Sequence, residues 1–239
     1  MYNLKSKLVI GLCDDDLHIY ESMKDVLSEY NLRNNTSSRL YYYNSAEQLL
    51  AQKNKLDVLF LDIDMPKISG IEAAAKLQCR GIDYKIVMLS VREDKYRDAF
   101  RIGAFRFVPK PIEKKELFRA LDDVQEHMAG MEKIQVFRDG ITYQIMQRDI
   151  IYIVANQSVT WVYTSKLEYR SKRSLVEWNS LLDKRIFFQC HKSYIVNMAK
   201  IDRIDKNIIY LITGDRVNVS RRLRTDFLHS FMQYDTMHR

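Results

Sequence analysis

Through the first half of the chain, short apolar runs alternate with longer stretches whose apolar residues recur at helical spacing. Residues 8–12, 39–43, 58–61, 85–89 and 105–108 each read as one strand, and 18–32, 46–52, 70–79, 95–102 and 114–128 read as the helices between them. The run Val58-Leu59-Phe60-Leu61 is apolar at consecutive positions, the pattern of a parallel strand covered on both faces. Five βα units in succession predict an α/β fold with a five-stranded, doubly wound parallel sheet. Beyond Met128 the period changes. Strands with β-branched or aromatic residues at alternate positions are predicted at 134–137, 142–145, 150–154, 159–163, 167–171, 187–190, 194–196, 201–204, 208–212 and 216–219. Only two helices are expected there, over 175–182 and 223–232. The predicted organisation is a first domain at 1–128, a short connector at 129–133 and a mostly-β domain at 134–239.

Composition narrows the class. A chain of 239 residues fits two domains of ordinary size, and 46% apolar residues with only 7 Gly and 3 Pro exclude a disordered or linker-dominated chain. No stretch approaches the roughly 18 apolar residues of a membrane span, and the run from Leu8 is stopped by three aspartates, so no membrane association and a cytoplasmic address are expected. Cys13, Cys79 and Cys190 are far apart and form no CxxC pair, which fits reduced thiols and no sulfur-built metal site. The net charge of +7 is uneven: residues 1–125 hold 20 basic and 19 acidic side chains, residues 126–239 hold 18 and 12. That excess points to an anionic partner for the β half.

The polar residues of the first half gather where the predicted strands end. Asp14 and Asp15 follow the first strand, Asp62 the third, Ser90 the fourth and Lys110 the fifth. In an open parallel sheet these carboxyl ends converge on one crevice, where doubly wound folds bind ligands. Carboxylates within about 4–5 Å repel by roughly 4 kcal/mol per pair at an effective dielectric near 20, so a counter-charge is required. The candidate donors are all oxygens, which selects Mg²⁺ over zinc. A carboxylate beside such an ion can attack phosphorus while Lys110 and the Ser90 hydroxyl bind the phosphoryl oxygens. The pocket then reads as a phosphoryl-transfer site with Asp62 as nucleophile. Asp16 serves equally well as a helix cap.

Carried by Cys13-Asp14-Asp15-Asp16, Leu61-Asp62-Ile63-Asp64-Met65-Pro66 through Gly70, Ser90, and Phe107-Val108-Pro109-Lys110-Pro111, residues 7–125 resemble a response-regulator receiver domain. The resemblance implies that Asp62 accepts a phosphoryl group from the phosphohistidine of a sensor histidine kinase. It implies that Mg²⁺ is held by Asp15, Asp62 and the backbone carbonyl of Asp64, with Asp14 acting through water. It further implies that Ser90 and Phe107 switch together, the hydroxyl moving toward the phosphoryl group and the ring turning inward, and that the Lys110–Pro111 peptide is cis. Val91 stands where the family usually has a small residue, and Arg92 and Asp64 flank the pocket mouth. Shielding of the acyl phosphate by these residues, with a longer lifetime, is expected.

In the second half, basic and polar residues lie directly beside strands in Arg170-Ser171-Lys172-Arg173, in Phe187-Phe188-Gln189-Cys190-His191-Lys192-Ser193-Tyr194-Ile195-Val196-Asn197 and in Val217-Asn218-Val219-Ser220-Arg221-Arg222. Such residues can neutralise phosphates or read base edges. Following a receiver, the stretch from about 134 to 234 resembles a LytTR-type DNA-binding domain, most recognisably in the segments holding His191 and Arg221. The resemblance implies small β-sheets whose loops enter successive major grooves of promoter DNA, usually as a homodimer once phosphorylated. By position, the contacting loops are the 156–160 turn with Gln157, Ser158 and Thr160, the loop with His191 and Lys192, and the loop with Arg221 and Arg222. Gln189 departs from the basic residue common two places before the histidine.

The expected protein is a two-component response regulator and transcription factor, not an enzyme. One rival is a magnesium-dependent aspartyl-nucleophile phosphatase, since Asp62-Ile63-Asp64 fits a D-x-D motif superficially. A second is a receiver whose β domain binds protein. Salt-dependent binding to duplex DNA separates the latter.

Overall fold

The computed structural model describes residues 8–91, 95, 97 and 101–237. They form two compact units, Met1–Gln125 and Glu126–Arg239, each with its own core. Among the described residues no helix is long and apolar enough to cross a membrane.

The first unit holds β1 (Leu8–Cys13), β2 (Ser38–Tyr43), β3 (Val58–Asp62), β4 (Lys85–Ser90) and β5 (Arg106–Pro109), paired parallel in the order β2-β1-β3-β4-β5. Four of its predicted helices are present: α1 (Leu17–Asn34), α2 (Ala46–Ala51), α3 (Gly70–Cys79) and α4 (Lys114–His127). The helix expected over 95–102 falls largely outside the described residues. Side chains alternate across the sheet. Cys13, Leu59, Leu61, Ile86 and Met88 pack with Ala46 and Leu49 of α2 and Ala73, Ala74 and Leu77 of α3. On the other side α1 meets α4, where the Tyr30 and Phe118 rings lie 5.1 Å apart and the Tyr30 hydroxyl donates to Asp122 at 2.6 Å. The strand order reverses between β1 and β3, so the crevice opens at their carboxyl ends.

The second unit contains a seven-stranded and a three-stranded sheet. The larger takes β6 (Lys133–Arg138), β7 (Ile141–Met146), β8 (Ile150–Asn156), β9 (Val159–Thr164), β10 (Glu168–Ser171), β11 (Phe187–His191) and β12 (Tyr194–Asn197) in the order β11-β12-β8-β9-β10-β6-β7. The smaller takes β13 (Ile201–Asp205), β14 (Ile208–Leu211) and β15 (Arg216–Asn218). One core gathers Ile153, Val162 and Ile195 around Trp178 of α5 (Leu175–Leu181). The other joins Ile151, Tyr152 and Val196 of the large sheet to Ile209, Leu211 and Val217 of the small one and Phe227 of α6 (Arg224–Met237).

Two sequence expectations change. The last helix runs to Met237 rather than 232, because Tyr234 still packs against the core around Trp178. Residues 129–130, expected as connector, are built into the second unit: Gly130 donates to Asp183 at 3.2 Å and accepts from Arg148 at 2.8 Å. Its φ is +69° and a Cβ there would stand 2.4 Å from Ile186 Cδ1, so only glycine fits.

Candidate phosphoacceptor pocket and nucleic-acid interface

The end of β1 delivers Asp14 fully buried. Its N–H donates to the Tyr43 carbonyl at 3.1 Å, its carbonyl accepts from the Tyr42 hydroxyl at 2.9 Å, and Oδ1 accepts from the Asp16 N–H at 3.0 Å. Asp16 turns its own carboxylate to the His18 N–H at 2.9 Å and caps α1, which accounts for it without a role in the pocket. Asp62 ends β3 almost wholly buried. Behind it α3 begins so close that a Cβ on Gly70 would stand 1.9 Å from the Asp62 carbonyl oxygen; glycine is what lets the helix start there.

Lys110 reaches in from the end of β5, its Nζ 2.7 Å from Asp14 Oδ2 and 2.7 Å from Asp62 Oδ1. The preceding Lys110–Pro111 expectation is met: the peptide is cis. Asp14, Asp15 and Asp62 each present an oxygen within 4.8 Å of the others. Burial raises the Asp14 and Asp62 carboxyls above their ordinary value of 3.8, and the Lys110 ammonium only partly opposes it. For Lys110 burial pulls the other way, but the two carboxylates outweigh it and hold its pKa above the ordinary lysine value. Burial and the neighbouring carboxylates push the Cys13 thiol up to about 12, so it stays an inert core group.

Three carboxylates against one ammonium leave the cluster short of positive charge. Asp14 Oδ2 is buried beside Lys110 yet lacks a well-directed hydrogen bond. An all-oxygen donor set with such an under-satisfied oxygen fits a hard divalent cation. Ser90, buried at the end of β4, lies with its Oγ 3.4 Å from Asp64 Oδ2. The Asp64 carboxylate is exposed and stands apart from the cluster of three, so the carboxylate itself is not one of the gathered ligand groups. Phe107 is half-buried against the core beside β4. Val91 is 70% exposed, and Arg92 lies outside the described residues.

In the second unit, an open groove of ≈ 550 Å³ is lined by His191, Lys192, Arg222, Lys184, Asn179 and Gln189 among others, and by no carboxylate. The β11–β12 hairpin carries His191 and Lys192 at its turn. His191 Nδ1 accepts from the Ser193 N–H at 3.2 Å, which places the proton of the neutral ring on Nε2 as a donor. The Ser220 N–H donates to the Cys190 carbonyl at 2.9 Å and fastens the 3₁₀ turn Arg221–Leu223 beside the end of β11. Arg222 thereby enters the groove; Arg221 is exposed outside it. Gln157 sits exposed in the β8–β9 turn with φ +54°, also outside the groove.

Thr160 requires a correction. It is 2% exposed, its hydroxyl donates to the Arg173 carbonyl at 2.9 Å and accepts from Trp178 Nε1 at 2.8 Å, so it anchors the core and cannot touch DNA. The resemblance puts it, by position, in the 156–160 turn; it lies in β9 instead, and its strand position turns it inward. Lys184 and Asn179 also line the groove, and neither adjoins a segment that the sequence singles out.

The fold joins an acidic pocket at the ends of a parallel sheet to a mostly-β unit with a basic groove. Residues 10–122 match the response regulator receiver domain family and residues 141–232 the LytTr DNA-binding domain family. The chain is similar to transcriptional regulatory protein YpdB of Escherichia coli K12, 27% identical over 64% of this chain and 69% of that protein. It is also similar to transcriptional regulatory protein LytR of Staphylococcus aureus N315, 24% identical over 73% and 79%. Among solved structures, Vibrio cholerae chemotaxis protein CheY4 matches 50% of this chain and 99% of its own at 21% identity with a TM-score of 0.43. The chain belongs to the two-component response regulators that join a receiver to a LytTR DNA-binding domain, and it acts as a transcription factor.

Proposed function

We propose that a sensor histidine kinase phosphorylates Asp62 and that the phosphorylated chain binds promoter DNA as a homodimer in the cytoplasm. The observation that carries this reading is Lys110 set between Asp14 and Asp62 at the strand ends, with Asp15 completing an acidic cluster.

Asp15 and Asp62 would hold Mg²⁺, with the Asp64 carbonyl and Asp14 in support. Bound there, the ion would supply positive charge to offset the carboxylates and the charge developing on the phosphoryl oxygens. An Asp62 carboxylate oxygen attacks the phosphorus of the phosphohistidine; the P–O bond forms, the P–N bond breaks, and the histidine nitrogen leaves with the electron pair and takes up a proton. Lys110 releases Asp62 and holds a phosphoryl oxygen. Ser90 leaves Asp64 for another, and Phe107 follows it inward. The acyl phosphate carries about two negative charges where the carboxylate carried one, and it shifts an equilibrium between receiver states. In the second unit, His191, Lys192 and Arg222 contact DNA from one groove, with Arg221 and Gln157 reaching outward from neighbouring turns.

Incubation with phosphoramidate and Mg²⁺ is expected to add one phosphoryl mass to the wild-type chain, labile to hydroxylamine, and none to Asp62→Ala. An unmodified wild type, or continuous turnover of a small phosphoester, contradicts the reading.

A further inference from the structure

The groove carries more positive charge than the recognisable DNA segments supply. Lys184 follows α5 in a two-cation turn with Arg185, and the two are treated differently. Arg185 is neutralised by Asp183, its Nη2 2.6 Å from Oδ2, and points to that carboxylate. Lys184 has no carboxylate within ion-pair distance among the described residues and lines the groove with Lys192, His191 and Arg222. Its ammonium donates to the main-chain carbonyl and the Oδ1 of Asn179, which fixes the amine at the end of α5 and leaves one of its three N–H groups unspent. Partial desolvation lowers its pKa, the signature of a cation lacking an anionic partner. Gln189 on the same groove wall is neutral.

We infer that Lys184 is a DNA-backbone contact, supplying at the groove the phosphate-neutralising charge that Gln189 does not. The inference rests on the DNA-binding reading of the groove. Asn179 acts as the positioning residue, holding the ammonium toward the phosphate. Backbone contacts carry no base information, so Lys184 strengthens binding to every sequence alike.

The test measures binding of the full chain to a random-sequence 30-base-pair duplex across a salt series, for wild type, Lys184→Gln, Arg222→Gln and Lys184→Gln with Gln189→Arg. Each phosphate contact contributes an exponent of about 0.9 to the salt dependence, so Lys184→Gln is expected to weaken binding about 5-fold at 0.15 M salt and lower the slope by about one. Gln189→Arg is expected to restore both. A merely structural Lys184, holding the end of α5, would lower the thermal midpoint and leave the slope unchanged; that result, or unchanged affinity, overturns the inference. Failure of Gln189→Arg to rescue overturns the claim that both positions serve one phosphate. If Arg222→Gln weakens binding while Lys184→Gln does not, the inference falls and the DNA reading stands. A wild type without salt-dependent binding brings down the DNA reading and this inference with it.

Discussion

Asp15 is the one member of the acidic cluster that Lys110 does not touch, and its effect on the metal-free pocket follows from charge alone. Asp14 and Asp62 titrate above 3.8 in the folded chain, so the folded state binds their protons more tightly than the unfolded state does. Their contribution is favourable at pH below the ordinary carboxylate value and is lost as pH rises through the raised values. At neutral pH without a divalent cation the pocket therefore weakens the fold. Removing a like charge with Asp15→Asn is expected to raise the melting temperature in EDTA by a few degrees, the scale of ~1 kcal/mol, at pH 7 and by less near pH 4. The same substitution is expected to weaken Mg²⁺ binding. Calorimetry with and without Mg²⁺ checks both signs, and a lower melting temperature in EDTA at pH 7 would contradict the charge account. At this scale the sequence was most legible where acids follow strands. Asp14, Asp62, Ser90 and Lys110 stood out because a polar residue after a buried run is costly without a purpose. Thr160 and Lys184 were not legible. Whether a threonine beside a turn faces water or Trp178 depends on strand register, and Lys184 reaches the groove only through the packing of α5 against the sheet.

Elements were legible wherever the apolar period was strong. In the β half, every predicted strand is present within two residues at each end, because alternation fixes both the strand and its buried face. Helix ends were read less well where tertiary contacts set them. α1 ends at Asn35, whose left-handed φ of +48° closes the last turn, and α6 continues past its apolar stripe because Tyr234 finds a core to pack on. α5 shows local chemistry sufficing: Ser174 accepts from the Glu177 N–H at 3.2 Å while Glu177 Oε2 accepts from the Ser174 N–H at 2.7 Å, a reciprocal capping box. Ser174→Ala is expected to destabilise the β unit by about 1 kcal/mol. Because α5 brings Asn179 and Lys184 to the groove, the same variant is expected to weaken DNA binding slightly at unchanged specificity. Denaturant unfolding together with affinity measurement checks both effects, and an unaltered unfolding midpoint would show that packing of Trp178 alone holds the helix.

For the whole molecule, charge and period alone divide the chain: a nearly neutral α/β half precedes a basic β half. What stayed illegible was convergence. His191 and Arg222 are separated by thirty residues of sequence and a second sheet, and the bond from the Ser220 N–H to the Cys190 carbonyl is what joins their turns. On the proposed reading, signal and output lie in separate units, and a change at Asp62 alters DNA binding through a shift in the population of receiver states. The most direct measurement is the affinity of the full chain for its promoter fragments, found by footprinting genomic DNA, with and without phosphoramidate and Mg²⁺, for wild type and Asp62→Ala. Tighter binding of the wild type on phosphorylation, with no response from Asp62→Ala, is the predicted result. An equal response from both chains, or none from a wild type shown by mass to be phosphorylated, would contradict it.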